Sequence, residues 1–431
     1  MNAGGIAVAT SIPPVLSRRN AGRAIDAEYQ KLCVRSWLAC GFRVLSVNHQ
    51  DEIPALAPLY PEVSFIATDR DPSTISGRRT PYIADLLGAV VDAPEPVVGL
   101  INSDLVFEPS AAWREGLPRS VGDAVVTGQR HDATSLLDGT FRKYYWGFDF
   151  FFFDTKSARD LVETAMPFAM GLAWWDYWLP AALSLRGRRV ITLERPTVAH
   201  LIHKEPQLDD TWRELAMRFA AFTVQEAAKH RGALPPGVSA ILPLCRTLSQ
   251  MPEQRWRNRG ADAEIGQLAV AFIPAITTNA VTMAAPGDPA PAASLAEISP
   301  ASVFHRFDER LAAGEALEHA KRLEREGRGS EAGPGFQYAL DRTPLDFDVL
   351  ATFGEFRARH GDALGAVELL RCAMRNDPEV RATYAVLAIA LHQCGRRPDA
   401  IKTLEDALAR WPDFAEARAL MLEMKKSAQH T

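Results

Sequence analysis

The chain has 431 residues, of which 47% are hydrophobic and 23% are charged, and its formal net charge is −5. This length and composition indicate a packed globular protein of two or three domains. The negative charge gives no reason to expect nucleic acid or an anionic membrane as a partner. The five cysteines form no CxxC pair, and no apolar run is long enough to cross a membrane. We expect no signal peptide, because Pro13-Pro14 interrupts the first apolar stretch. We therefore expect a cytoplasmic protein with reduced thiols and no transmembrane segment.

The first hundred residues alternate between apolar runs and helical patterns. Apolar runs predict strands at Ile6–Thr10, Phe42–Val47, Val63–Ala67 and Val97–Ile101. Helical periodicity predicts helices at Asn20–Cys40 and Pro81–Val91. This order predicts a doubly wound, mostly parallel sheet, so we assign the N-terminal domain to a Rossmann-like α/β fold class.

Polar residues follow these strands at the edge where parallel sheets bind ligands. The first three strands lead into Thr10, Ser11, Asn48 and Asp69. The fourth leads into Asn102-Ser103-Asp104. An Asp at this edge can bind a divalent metal, and a metal can neutralise a diphosphate. The alternative is an Asx turn or the cap of a helix that begins near Pro109.

Aromatic residues dominate the following hundred residues, where strands are predicted at Ala124–Thr127, Phe148–Phe153 and Val190–Leu193. Asp149 lies within the Phe-rich run and needs an Arg, a Lys or a sugar hydroxyl as its partner. Asp176 lies among four aromatic residues. Burial there would raise the proton affinity of its carboxylate, as suits a general base, whereas a helix N-cap is the structural alternative.

This layout resembles that of GT-A glycosyltransferases over roughly residues 5–230. The resemblance rests on Thr10-Ser11 after the first strand, Asn102-Ser103-Asp104 after the fourth, Trp174-Trp175-Asp176 before a helix, and a late His200 or His203. It implies transfer of a sugar from a nucleotide-sugar donor to an acceptor hydroxyl of a protein or glycan. It also implies that Mn²⁺ or Mg²⁺ is held by Asp104 with His200 or His203, and that Asp176 serves the acceptor.

The expected donor-binding residues are Thr10, Ser11, Asn48, Asp69, Arg79, Asn102 and Asp149. Arg79 belongs to one of two Arg pairs in loops, and Arg suits phosphate recognition. The family's DxD motif begins with an Asp where this chain has Asn102. That departure supports one alternative, a non-catalytic scaffold with a degenerate GT-A domain. Another alternative is a nucleotidyltransferase, although its usual Gly-rich first loop is absent from the sequence.

The C-terminal part of the sequence repeats at a constant interval. The recurring positions are Gly327, Gly361 and Gly395; Ala332, Ala366 and Ala400; Ala339, Ala373 and Ala407; and Pro344, Pro378 and Pro412. This interval of about 34 residues and this pattern resemble those of tetratricopeptide (TPR) repeats, which pair two antiparallel helices in each unit. The resemblance implies a groove that recruits an acceptor or partner protein. A stabilising or dimerising appendage is the alternative.

These patterns divide the chain into three parts. Residues 1–235 are predicted to form the GT-A-like domain, and residues 301–431 three repeats with a closing helix. Residues 236–300 are predicted to be an extension followed by an Ala/Pro-rich linker that begins at Ala271.

Overall fold

The structure is a computed structural model that describes residues 5–20, 23–70, 72–73, 79–164, 166–193, 198–203, 210–276, 279–281 and 298–426. The chain forms two compact units. Unit 1 comprises Met1–Leu16, Asp26–His131 and Lys143–Phe304, and unit 2 comprises Ser17–Ile25, Asp132–Arg142 and His305–Thr431. Two short early segments therefore group with the C-terminal helices. The division at residues 235 and 300 remains a prediction about segments that fold independently.

The described strands, in chain order, are β1 (Ile6–Thr10), β2 (Arg19–Asn20), β3 (Arg23–Ala24), β4 (Phe42–His49), β5 (Ser64–Thr68), β6 (Val97–Ile101), β7 (Leu105–Phe107), β8 (Ala124–Gly128), β9 (His131–Ala133), β10 (Phe141–Lys143), β11 (Phe150–Asp154), β12 (Arg189–Leu193), β13 (Val198–Leu201) and β14 (Asn279–Val281). Eight of them form the main sheet of unit 1, in the order β14-β12-β8-β11-β6-β1-β4-β5. Neighbouring strands are parallel except on the two sides of β11. The predicted α/β fold with a mostly parallel sheet is confirmed.

The order of strands creates a crevice between β1 and β6. From β1 the chain moves outward to β4 and β5, and then returns to place β6 on the other side of β1. Open parallel sheets bind ligands at such a reversal, outside the carboxyl ends of the strands. Thr10 ends β1 there, and Asn102 directly follows β6. Both strands are buried along their whole length, as their apolar sequences predict.

The helices of unit 1 are α1 (Asp26–Ala39), α2 (Ile53–Leu56), α3 (Ile83–Val90), α4 (Ala111–Glu115), α5 (Leu117–Val121), α6 (Thr155–Val162), α7 (Trp175–Leu185), α8 (Asp210–Lys229), α9 (Pro236–Ser249), α10 (Glu253–Arg257), α11 (Asp262–Ile276) and α12 (Pro300–Val303). A 3₁₀ turn, Ala57–Leu59, follows α2. None of the helices in the described part of the chain has the length and apolar character to cross a membrane.

Two predicted boundaries were wrong. The helix predicted from Asn20 begins at Asp26, because residues around Asn20 form the β2–β3 pair and the acidic Asp26 starts the first helical turn. The linker predicted from Ala271 cannot begin there, because α11 continues to Ile276 and buries Phe272 and Ile276 in the core of unit 1. Most of the predicted linker, residues 277–278 and 282–297, lies outside the described residues.

Unit 2 contains the repeats as antiparallel helix pairs. The helices are α13 (Phe307–Arg325), α14 (Gly329–Arg342), α15 (Phe347–Arg359), α16 (Ala363–Asn376), α17 (Arg381–Gln393), α18 (Arg397–Arg410) and α19 (Ala415–Lys426). The recurring glycines lie between the paired helices with φ of 73° to 87°, a left-handed backbone that glycine adopts without strain. The recurring alanines are fully buried between helices. The predicted repeats of two helices each are confirmed.

The hairpin loop between β9 and β10, within Asp132–Arg142, is also part of unit 2. Asp346 caps α15 and accepts hydrogen bonds from the Thr140 backbone N–H at 2.7 Å and from the Thr134 hydroxyl. The buried Arg310 guanidinium donates to the carbonyl of Gly139 at 2.6 Å and to that of Ser135 at 2.8 Å. The first two repeats thus satisfy polar groups of a segment that lies outside the repeat sequence.

We predict that Gly99→Ala in β6 destabilises unit 1. A Cβ at Gly99 would lie 2.7 Å from both the Phe151 carbonyl oxygen and the Phe152 ring, so backbone or ring must move, at a cost of about 1–3 kcal/mol. Gly88→Ala is the matched control, because its Cβ meets open space in α3 and should stabilise by roughly 0.5–1 kcal/mol. Urea unfolding of both variants measures the difference. Equal midpoints would contradict this packing of β6 against β11.

Candidate functional site

Helix α1 holds the turn that follows β6. Gln30 Nε2 donates to the Ser103 carbonyl, the Tyr29 hydroxyl to the Asp104 carbonyl, and Trp37 Nε1 to the Leu105 carbonyl, each at 2.8 Å. These three bonds fix consecutive backbone groups from one helix. The turn therefore presents the Asp104 side chain from a fixed backbone.

The same Tyr29 hydroxyl also accepts a hydrogen bond from the Leu201 N–H, at 2.8 Å. Strand β13 carries Leu201 and runs antiparallel to β7, with His200 opposite Leu105. One buried phenol thus joins the Asp104 backbone to that of the strand bearing His200. Although His200 and Asp104 are far apart in sequence, they become neighbours.

Asp104, His200 and His203 form a possible metal-binding group. The Nε2 atoms of His200 and His203 lie 3.3 and 3.8 Å from Asp104 Oδ2, and one ligand atom from each residue falls within 4.8 Å of the others. The His200 side chain is 3% exposed, that of Asp104 17% and that of His203 27%. Sequence analysis could not choose between the two histidines, and the structure brings both to Asp104.

The donor set of this group fits a divalent metal ion. Imidazole nitrogen and carboxylate oxygen together suit first-row transition metals, and three protein ligands leave positions for a substrate or water. Partial exposure of His203 and Asp104 gives a ligand access to those positions. Asn102 is outside the group, because its side-chain amide donates to the Asp149 carboxylate.

Asp149 is paired within the protein. Arg130 Nη1 contacts its Oδ1 at 2.8 Å, and the side chains of Arg130 and Asp149 are only 8% and 7% exposed. The Arg130 guanidinium also stacks on the Tyr144 ring, 4.0 Å from its centroid. Of the partners predicted for Asp149, an arginine is present. The Asp149 Oδ2 and Asn102 Oδ1 atoms are nevertheless buried without a hydrogen-bond partner among the described atoms.

The Asp176 carboxylate is enclosed by the backbone of residues 147 and 148, and its pKa is raised. Phe148 N–H donates to its Oδ2 at 3.1 Å, and a methyl group at Gly147 would lie only 2.3 Å from that oxygen. Part of the Asp176 side chain reaches the surface, but this close backbone contact encloses the carboxylate. Burial, and to a lesser extent the charge of Asp149, raises the pKa of Asp176 to about 8.

The backbone just before Asp176 is strained. Trp174 has a φ of 76°, in the left-handed region, and is almost fully buried where α7 begins. Such a conformation costs a bulky residue about 1–3 kcal/mol and persists only where the surroundings impose it. Its ring stacks on Phe219, with the centroids 5.5 Å apart. Packing of Trp174 in the aromatic core therefore fixes the backbone at the start of α7, where Asp176 lies in the first turn.

Four of the remaining predicted donor residues lie at the ends of β1, β4 and β5, and the fifth, Arg79, lies in the loop before α3. Thr10 is buried, and its hydroxyl has no hydrogen-bond partner among the described atoms. Asn48 is also buried, and its amide donates to the Ile12 carbonyl at 2.9 Å, which holds the loop containing Ser11. The side chain of Asp69 is exposed. Arg79 is half-exposed, and its Nη1 contacts Asp51 at 3.1 Å. Donor binding by these residues remains a prediction.

Sequence reasoning missed four residues that support the site: Tyr29, Gln30, Trp37 and Arg130. The first three share the buried face of α1, and the apolar spacing that includes Tyr29 and Trp37 indicated a core helix. No pattern showed that their polar atoms would reach the turn after β6. Arg130 follows strand β8 in an ordinary polar stretch, and only the pairing of β11 with β6 and β8 brings it to Asp149.

The comparisons with known proteins concern the repeats. A family model described as "Tetratricopeptide repeat" matches residues 357–423. No curated protein matches the chain. The chain is similar to the second TPR domain of human RPAP3, solved with an HSP70 peptide, at 14% identity over 27% of this chain and 98% of that one, with a TM-score of 0.26.

Two further solved structures have similar scores. The TPR2B domain of yeast Sti1 is 20% identical over 28% of this chain and 98% of that one, with a TM-score of 0.25. A mutant O-GlcNAc transferase from Thermobaculum terrenum is 24% identical over 26% of this chain and 22% of that one, also with a TM-score of 0.25. Scores this low carry no conclusion about function. The C-terminal part of the chain is a tetratricopeptide repeat region, and unit 1 is an α/β fold whose family these likenesses leave open.

We predict that Asp176→Asn stabilises the protein at alkaline pH. An unfolded Asp ionises near pH 4, whereas native Asp176 keeps its proton up to about pH 8. Between those values the unfolded state releases a proton that the native state retains, so this residue lowers stability as pH rises. The Asn side chain does not ionise, so the variant does not lose this part of its stability as pH rises. Its melting temperature should exceed that of the wild type more at pH 8 than at pH 4.5, and a pH-independent difference would refute the buried acid.

Proposed function

We propose that unit 1 is a metal-dependent glycosyltransferase of the GT-A type, which transfers a sugar from a nucleotide-sugar donor to an acceptor hydroxyl. The observation that carries the proposal is the position of the Asp104, His200 and His203 group. Asp104 follows β6, next to the reversal of strand order where open α/β sheets bind nucleotides, and both histidines lie beside Asp104.

The donor diphosphate is assigned to this group. Two imidazoles and one carboxylate suit Mn²⁺ better than Mg²⁺, which prefers an all-oxygen shell. A divalent ion held there would neutralise the charge that develops on the leaving nucleoside diphosphate. The Tyr29 bonds to Asp104 and Leu201 keep the ligands in place before the donor arrives. The site thus needs little reorganisation at the moment of reaction.

The nucleoside and sugar of the donor are assigned to the crevice between β1 and β6. The Thr10 hydroxyl and Asn102 Oδ1 are buried there without hydrogen-bond partners among the described atoms, and a bound donor would supply them. Ser11 extends the same edge, and Asn48 holds that loop by its bond to Ile12. We assign Asp69 to the base and Arg79 to a phosphate, because both side chains reach the surface near the strand ends.

Asp176 is assigned as the general base. Its pKa of about 8 lies close to physiological pH, which combines a useful ionised fraction with proton affinity. The Asp176 carboxylate takes the acceptor hydroxyl proton as the acceptor oxygen bonds to the anomeric carbon. The bond from that carbon to the diphosphate oxygen breaks, and its electron pair leaves with the diphosphate. This single displacement inverts the anomeric configuration.

The tetratricopeptide repeat region is proposed to bind a partner or acceptor protein. Stacked repeats form extended concave surfaces suited to peptides. The later repeats, from Arg381 to Lys426, are the better candidates, because the first two already bond to the hairpin loop through Arg310 and Asp346.

A non-catalytic scaffold is the second candidate function. Asn102 supplies an amide where a second metal-binding carboxylate would be expected, and it bonds to Asp149 instead. In that case unit 1 would bind no nucleoside diphosphate, with or without metal. Release of pyrophosphate from a nucleoside triphosphate would instead identify a nucleotidyltransferase.

We predict that UDP or GDP binds unit 1 tightly only with Mn²⁺, because Asp104 and the histidines need diphosphate oxygens to complete the metal shell. Calorimetry with Mn²⁺ and with EDTA measures this. Asp104→Asn should abolish the metal-dependent part of the affinity. Asp92→Asn removes the same charge from an 89% exposed side chain before β6 and should leave affinity unchanged. If EDTA changes nothing, the metal role of Asp104 is wrong.

We predict that Asp176→Asn lowers kcat by about 10²- to 10⁴-fold while the donor dissociation constant stays the same. The substitution keeps the shape of the side chain and removes the base. Transfer rates and calorimetry on the same preparation separate the two effects. Wild-type turnover by the variant would make Asp176 a structural residue.

A further inference from the structure

Two aromatic side chains project from unit 1 beside the acid of the candidate site. Tyr145 is 63% exposed and Trp146 is 58% exposed. Other large aromatic side chains of this region, such as Phe148 and Trp174, are almost fully buried. Gly147 alone separates Trp146 from Phe148, whose N–H binds the Asp176 carboxylate. The exposed pair therefore belongs to the segment that encloses the acid.

The backbone that carries this pair is fixed on both sides. The Tyr177 hydroxyl donates to the Trp146 carbonyl at 2.6 Å. The Tyr144 N–H donates to the Arg130 carbonyl at 3.0 Å, and the Arg130 guanidinium stacks on the Tyr144 ring. Gly147 lies so close to Asp176 that any side chain there would collide with the carboxylate. Tyr145 and Trp146 are thus exposed on an anchored segment.

Anchored and exposed aromatic rings are suited to binding ring-shaped ligands with one apolar face. A Trp or Tyr ring has only two side-chain torsions, so little conformational entropy is lost when a ligand packs against it. A pyranose ring offers such an apolar face of C–H groups and carries hydroxyls at its edge. The adjacent Asp176 carboxylate can accept a proton from one of those hydroxyls.

We propose that Tyr145 and Trp146 form an acceptor subsite for a carbohydrate ring next to Asp176. The proposal rests on the proposed glycosyl transfer and deepens it, because it names a glycan rather than a peptide as the acceptor. The two rings hold the apolar face of the acceptor sugar, and Asp176 receives the hydroxyl at its edge. The left-handed backbone conformation of Trp174 also supports a functional role for this region, because backbone strain concentrates at binding sites.

The test measures sugar binding directly in the full-length protein. Saturation-transfer NMR with methyl β-D-glucopyranoside, methyl β-D-galactopyranoside and a Ser-containing peptide shows which probe contacts the protein. We expect transfer to the ring C–H protons of at least one glycoside. Trp146→Ala should weaken that binding about tenfold, the size of one aromatic contact, and Trp146→Phe should restore most of it.

Tyr338→Ala is the matched control, because Tyr338 is an exposed aromatic residue of unit 2, and the variant should bind the glycosides as the wild type does. Binding of UDP with Mn²⁺ should be the same in all variants. If nucleotide binds but neither glycoside does, or if Trp146→Ala binds glycosides normally, the subsite is wrong while the proposed function stands. Peptide binding that depends on Trp146 would also overturn it. Failure of nucleotide binding in the wild type would refute the proposed function itself.

Discussion

The two hydrogen bonds of the Tyr29 hydroxyl are the constraint on which the candidate metal group depends. The phenol donates to the Asp104 carbonyl and accepts from the Leu201 N–H, so it joins two chain segments that the main sheet does not connect. The β7–β13 pairing itself comprises only three residue pairs, and the phenol adds two hydrogen bonds beside it. Because these bonds are made to backbone groups, they fix the backbone positions from which the side chains of Asp104 and His200 approach each other.

A second constraint is the balance of charge around Asp149. Its carboxylate raises the proton affinity of Asp176, while Arg130 and Asn102 bind the same carboxylate directly. Burial remains the largest cause of the raised pKa of Asp176, and it also raises the pKa of the neighbouring Tyr177 phenol. Asp149 is thus paired with an arginine. Asp176, which is enclosed by backbone and aromatic rings, can hold a proton near neutral pH.

The sequence predicted the parallel strands and the repeats because both leave local patterns. Val97–Ile101 is a continuous apolar run, and the alanines and glycines of the repeats recur at a constant interval. Asp104 was predicted from sequence because it follows a strand, whereas His200 and His203 were predicted through the resemblance to GT-A glycosyltransferases. The supporting residues Tyr29 and Arg130 could not be predicted from sequence, because they act through contacts that depend on tertiary packing. The helix to Ile276 was mistaken for linker because the Ala and Pro content outweighed its apolar spacing.

The bond between Thr140 and Asp346 spans 206 residues of chain, which has a consequence for synthesis on the ribosome. At roughly 5–20 residues per second, the hairpin loop would emerge roughly 10 to 40 s before its capping partner. During that interval the sheet of unit 1 can assemble, but the polar groups of the loop must rely on water or a chaperone. The loop therefore cannot make its bond to Asp346 until the first repeat and the start of the second have been synthesised.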